Sequence, residues 1–231
     1  MPFCGKCGAE VLSSHRYCRG CGTALLHATD SQTAPVMTGA TAQTLPYQIS
    51  LTRVLILGVL SYNLYLYYWF YLTWKQYRDH TGAEAYPSWH ALTLFIPIYS
   101  LFRTHAHVRA FKELMLNASL STNLNAVGAV ALVLLLWITN TIGVTYIWGT
   151  GGLSGPLTRG DAVVSAVTGL ISVAVSTGLI IHVQENLNRY WASLENARAG
   201  RANIGIAEVL LVLLGLLFWS QTLANLVSPA V

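Results

Sequence analysis

Four cysteines stand within the first 21 residues, as Cys4-Gly5-Lys6-Cys7-Gly8 and Cys18-Arg19-Gly20-Cys21-Gly22, with ten residues between the knuckles. Two Cys-x-x-Cys turns bring four thiolates together, and four thiolates close a tetrahedral metal site with no position left for water or substrate. The chemistry expected here is therefore structural. In each knuckle a sulfur accepts backbone amides, and Gly8 and Gly22 supply the conformational freedom that such a turn needs. Zinc is the expected ion, with iron the alternative that a tetrathiolate also suits. Paired disulfides are disfavoured by the x-x spacing and by a reducing compartment. His15 lies between the knuckles, but four cysteines already complete the coordination.

Residues 3 to 22, from Phe-Cys-Gly-Lys-Cys-Gly to Tyr-Cys-Arg-Gly-Cys-Gly, resemble the short zinc ribbon found at the N-terminus of many bacterial and archaeal membrane proteins. The resemblance assigns Cys4, Cys7, Cys18 and Cys21 as the ligands, one for one, and implies a structural or protein-interaction module. A domain of about 25 residues cannot build a sufficient apolar core, so the metal would supply its folding energy.

A second group of polar residues lies among apolar stretches: His90, His105, His107, Glu113, His182, Glu185, Glu208, Gln221 and Asn225. His105 and His107 are two apart, about 200° around a helix, so a helical backbone cannot bring both to one metal. Glu208 is the acid that falls nearest a hydrophobic span, which makes it a functional candidate. It also stands about one turn past Asn203, where a carboxylate near a helix N-terminus is a sufficient explanation. No Ser-His-Asp arrangement, HExxH or phosphate-binding glycine loop is present.

The elements that must position these groups are dictated by composition. Of 231 residues 54% are apolar and 10% charged, too little charge to cover a soluble fold. No Asp, Glu, Lys or Arg occurs from Leu114 to Thr158 or from Val209 to Val231. The net charge of +4 is no argument for nucleic acid, and none is expected as a partner. The expected class is an all-α polytopic membrane protein of about five transmembrane helices with a small N-terminal zinc ribbon. Its parts are the ribbon over 1–25, a flexible Thr- and Ala-rich linker over 26–48 and a membrane domain over 49–231. Without a basic n-region and short apolar core at its start, the chain is expected to be targeted by its first span.

The spans are placed near 54–74, 86–102, 124–148, 162–181 and 204–227. The second is short for a bilayer crossing and holds Pro97 in its middle, so a kinked span and a re-entrant hairpin compete. Positive-inside counting chooses five crossings with the N-terminus and ribbon cytoplasmic: ten basic residues fall inside and three outside, whereas a re-entrant second segment leaves five inside and eight outside. The aromatic half of the first span, from Tyr62 to Tyr77, is expected at headgroup level or against the second segment. Ser165, Gly169, Ser172 and Ser176 form a small-residue stripe for close packing, within the chain or between copies. Two amphipathic stretches are expected at the cytoplasmic interface with anionic headgroups. One sets Val108, Phe111 and Met115 opposite Arg103, His107, Arg109 and Lys112; the other sets Leu187, Tyr190, Trp191 and Leu194 opposite Glu185, Arg189 and Arg198.

Tyr67-Tyr68-Trp69-Phe70-Tyr71 with Trp74-Lys75, Tyr86-Pro87-Ser88-Trp89 and Pro97-Ile98-Tyr99 resemble a bacterial membrane family described only as a domain of unknown function. That resemblance implies a bacterial cell membrane and brings no catalytic residues. Two functions follow from the residues. One is an adaptor or scaffold whose ribbon recruits a protein partner. The other is a small transporter or membrane enzyme with a polar site near Pro97, His105, His107 and Glu208, and Arg109 joins the histidines and Glu208 as a membrane-interface or functional polar candidate.

Overall fold

The computed structural model describes residues 48–149, 158–194 and 204–227. Cys4, Cys7, Cys18 and Cys21 and the linker lie outside the described residues. The chain divides between Gln43 and Thr44, and everything described belongs to the second unit. That unit is helical, with α1 (Leu51–Leu60), α2 (Tyr65–Thr81), α3 (Pro87–Leu92), α4 (Pro97–Asn117), α5 (Ala126–Gly149), α6 (Arg159–Ser193) and α7 (Ile206–Val227).

Three of these helices are long and apolar enough to cross a membrane: α5 over Ala126–Thr145, α6 and α7. The first two expected spans are not single helices. The run over 54–74 breaks at Ser61–Leu64, where Tyr62 and Asn63 adopt left-handed φ of 51° and 74°. Left-handed backbone is unfavourable for a bulky residue and tolerable for Asn. Contacts hold the reversal in place: the Tyr62 ring meets Trp219 edge-on at 4.9 Å, Ser176 Oγ donates to Asn63 Oδ1, and Tyr65 N donates to Ser61 Oγ at 2.9 Å. The run over 86–102 breaks at Ile96. Pro97 disfavours a helical residue before it, so Ile96 is extended and Pro97 opens α4 in its first turn, where its missing N–H costs nothing.

Partners along α6 show what these breaks do. As the chain climbs α1, its neighbours on α6 fall from Asn188, bonded to Ile49, to Thr177 beside Gly58 and Gly169 beside the Tyr62 hydroxyl. Past the break they rise again, from Ser176 at Asn63 to Gln184 at Trp69 and Tyr190 at His80. The chain has turned back along α6. The second break repeats the manoeuvre: His90 stacks on Trp74 and Phe95 on Tyr67 on the way up, then His107 meets Phe70 and Phe111 meets Tyr77 on the way down. Helices α5 and α7 run the full length, α5 antiparallel to α6 through Asn123–Asn186 and Thr139–Ser172, and α7 alongside α1 from Glu208–Arg53 to Gly215 at Leu60.

The core sits where the returning limbs meet α6. Tyr65, Trp69, Phe70 and Trp74 of α2, Phe111 and Met115 of α4, and Leu187 and Trp191 of α6 are all buried. The aromatic half of the first segment thus packs against the second segment, one of its two expected places. The small-residue stripe is used within the chain: Gly169 admits Tyr62, Ser172 Oγ donates to Asn140 Oδ1 at 2.8 Å, and Ser176 holds Asn63. Likewise Val108, Phe111 and Met115 are buried in protein, and His107, expected on the polar face, is buried with them.

Candidate functional site

Two polar arrangements lie inside the helical unit. The first is an ion pair. Arg53 Nε donates to Glu208 Oε1 at 3.2 Å and its Nη2 to Oε2 at 2.5 Å, a two-pronged grip in which Glu208 is 1% exposed and the Arg53 side chain 16%. Gly205 N donates to the same Oε2 at 2.8 Å, so the carboxylate also closes the first turn of α7. Sequence placed Glu208 at that helix start. The structure adds the partner: Arg53 comes from α1, 155 positions away, which no local spacing reveals. With both oxygens engaged, Glu208 is a strut between α1 and α7.

The second is a cavity of about 200 Å³ between the two reversals and α5 and α6. Its polar lining is Asn63 from the first reversal, Tyr67 from α2, Ser100, Thr104 and His107 from α4, Asn140 from α5 and Ser176 from α6; its apolar lining includes Trp69, Phe70, Val133 and Trp137. Each helix brings its group by register. Trp137 Nε1 donates to Ser100 Oγ at 2.8 Å, whose hydroxyl in turn donates to Pro97 O, tying the tip of the second reversal to α5. Trp69 Nε1 donates to Gln184 Oε1 at 2.7 Å, and Gln184 Nε2 passes the chain of bonds to Asn188. His107 Nε2 lies 2.8 Å from Thr73 Oγ1, with the imidazole stacked on Phe70 at 4.4 Å. Thr73 Oγ1 also lies within donating distance of the Trp69 and Phe70 carbonyls. If its proton goes there, His107 Nε2 is the donor and Nδ1 a bare acceptor.

The sequence candidates divide accordingly. His107 and the first turn after Pro97 belong to the cavity. His105 is exposed, on the far side of α4 as the two-residue spacing requires. Arg109 is exposed and donates to Glu113 at 2.7 Å, a surface i, i+4 pair of small energetic weight. No cluster of three or more His, Cys, Asp or Glu occurs among the described residues. Asn63, Thr104 and Asn140 were not singled out by sequence, although Asn140 left a signal as an amide inside a charge-free apolar helix. At the end of α2, beyond the three apolar spans, desolvation lowers His80 from its ordinary value, keeping neutral the imidazole that bonds Tyr190 Oη at 2.7 Å.

Comparison with known families matches residues 3–25 to a zinc-ribbon domain. The match covers the two cysteine knuckles, so the chain joins a zinc-ribbon domain to a helical unit with three helices of membrane-span size. No curated protein and no solved structure matches the chain.

Proposed function

We propose that the protein is an integral membrane adaptor in which α5, α6 and α7 cross the bilayer and the α1–α2 and α3–α4 units enter from the side on which α1 begins and return to it. One observation carries this reading: Ile49, His80 and the start of α3 all lie toward the Asn188–Tyr190 end of α6. Both hairpins therefore open to one side. Under this topology eleven of the thirteen basic residues fall on that side, Arg103 lies on the returning limb near the second reversal and only Arg159 falls opposite, a stronger positive-inside asymmetry than five crossings give. That face is the cytoplasmic one, and on it stand the end of α2, the α4–α5 connection and the end of α6. Such a face suits recruitment of a soluble protein beside anionic lipid. With Glu208 held by Arg53, the carboxylate that a proton-coupled transporter would need is already engaged.

Topology can be read directly. A protease-sensitive epitope inserted at Glu84, in the exposed connection from α2 to α3, is expected to be cut in inside-out vesicles and protected in sealed right-side-out ones. The reverse pattern would restore five crossings.

The ribbon is tested by metal content. The full chain is expected to carry one zinc, bound by Cys4, Cys7, Cys18 and Cys21, and the Cys4→Ser, Cys7→Ser double variant to lose it while still inserting. Loss of a co-purifying cytoplasmic protein from the double variant supports the adaptor reading; an unchanged set of partners counts against it.

A further inference from the structure

The cavity between the two reversals is closed on most sides, and its open side is informative. Asn140 is the exposed member of its lining, about 21 Å along α5 from Ala126, inside the stretch apolar enough to span a membrane. An amide there faces hydrocarbon, where an unmatched N–H is costly. Its Oδ1 accepts from Ser172, and its Nδ2 has no partner among the described residues. A second group in the cavity is in the same position. Thr104, 6% exposed, lines the wall, and among the described residues its hydroxyl makes no hydrogen bond, although the other threonines of these helices mostly bond back to their own carbonyls. A polar group without a partner is costly where water is absent, in a cavity wall or facing hydrocarbon, and each asks for an occupant.

The chemistry of that occupant follows from the walls. No Asp, Glu, Lys or Arg lines the cavity, so the ligand is uncharged. Asn63 Nδ2 and Tyr67 Oη also line the cavity and make no hydrogen bond among the described residues, so the unmatched groups offer mainly N–H and O–H and the ligand brings accepting oxygen. An apolar cavity of about 150 Å³ holds a benzene ring; at about 200 Å³ this one holds a single substituted ring. Trp69, Phe70 and Trp137 provide flat apolar surface around it. Entry past Asn140 is from the bilayer, so the ligand is lipid-soluble. We propose that the cavity binds a neutral, membrane-soluble ring carbonyl compound, of the chemistry of a quinone head group, with Asn140 and Thr104 donating to its oxygens. The route of entry and the unmatched state of the Asn140 amide rest on the membrane reading above; the cavity and Thr104 do not.

The test uses the full chain in detergent micelles and a benzoquinone bearing a short alkyl chain, read by quenching of tryptophan fluorescence. One saturable site is expected, weakened about tenfold in Thr104→Val and in Asn140→Leu, the loss of one hydrogen bond each. Val133→Phe, which fills the cavity from α5, is expected to abolish the saturable part. Each variant is compared at unchanged helical circular dichroism; should a polar-site variant fail that check, Val133→Phe and competition by unlabelled ligands decide. Quenching that never saturates, or is equal in all variants, overturns the proposal. So does equal competition by the matching alkylcyclohexane, which lacks carbonyls, or by a short-chain diacylglycerol, whose esters are not on a ring. Alkaline carbonate extraction of the same chain from membranes reads the membrane topology separately, so release there leaves the binding result standing.

Discussion

Gly215→Ala is expected to cause the largest loss of stability of any single methyl group added to this chain. A Cβ at Gly215 would lie 2.3 Å from the Leu60 carbonyl oxygen and equally close to the backbone of Ser61. Backbone cannot swing aside as a side-chain tip can, so α7 must withdraw from the first reversal. Withdrawal also breaks the bond from Trp219 Nε1 to Val59 O at 2.9 Å and the packing of Phe218 and Trp219 on Tyr62. Overpacking of this kind costs about 1–3 kcal/mol, and the upper end is expected here. Two other glycines set the scale. At Gly169 the overlap is with the Tyr62 hydroxyl, the movable end of a side chain, and Gly178 has open space around its Cβ position. Thermal unfolding in detergent should therefore rank Gly215→Ala well below Gly169→Ala, with Gly178→Ala near the parent. Equal midpoints for all three would mean that α7 does not seat on the reversal.

Glu208→Ala is expected to rank next, at roughly 3 kcal/mol, the low end for breaking a buried ion pair. The cost lies mainly in the cation left behind. Arg53 keeps some access to the surface and can turn its head outward, which moderates the loss. Removing both charges, as Arg53→Met with Glu208→Met, is expected to recover most of it, because neither group is then buried without its partner. A double-mutant cycle on unfolding midpoints measures the coupling. Additive losses would contradict a paired strut and return Glu208 to the functional candidates.

Both predictions concern α7 against α1, which ends in the first reversal, the feature least legible in the chain. From Val54 to Trp74 hydrophobicity is continuous in length and lacks Gly or Pro between Val59 and Trp74, so a single crossing is the natural reading. The signal was Ser61-Tyr62-Asn63. Ser61 caps α2 through its hydroxyl, and Asn63 takes the left-handed backbone at low cost. Neither residue demands a turn alone. Tyr62 is driven into left-handed geometry by packing on Gly169, Phe218 and Trp219, contacts more than 100 positions away. In the second segment Pro97 announced a break, and the sequence reading considered a hairpin there. Charge counting then argued against it, because that count assumed the first segment crossed. Two reversals together satisfy the same rule better than none.

What the sequence determined by itself is what depends on spacing and composition: the two cysteine knuckles of the ribbon, the all-helical class with stretches of membrane-span size, the charge-free stretches that become α5 and α7, and the opposed faces of His105 and His107. These are local properties, set by thiolate geometry, by the helical period and by the cost of exposing apolar or charged groups to the wrong solvent. Tertiary structure decided which apolar segments turn back, which cation neutralises Glu208, and which amides and hydroxyls converge on one cavity. Each of those depends on residues tens to more than a hundred positions apart being brought to one level along α6. Hydropathy records how well a segment tolerates hydrocarbon, and a helix buried in protein tolerates it as well as one that faces lipid.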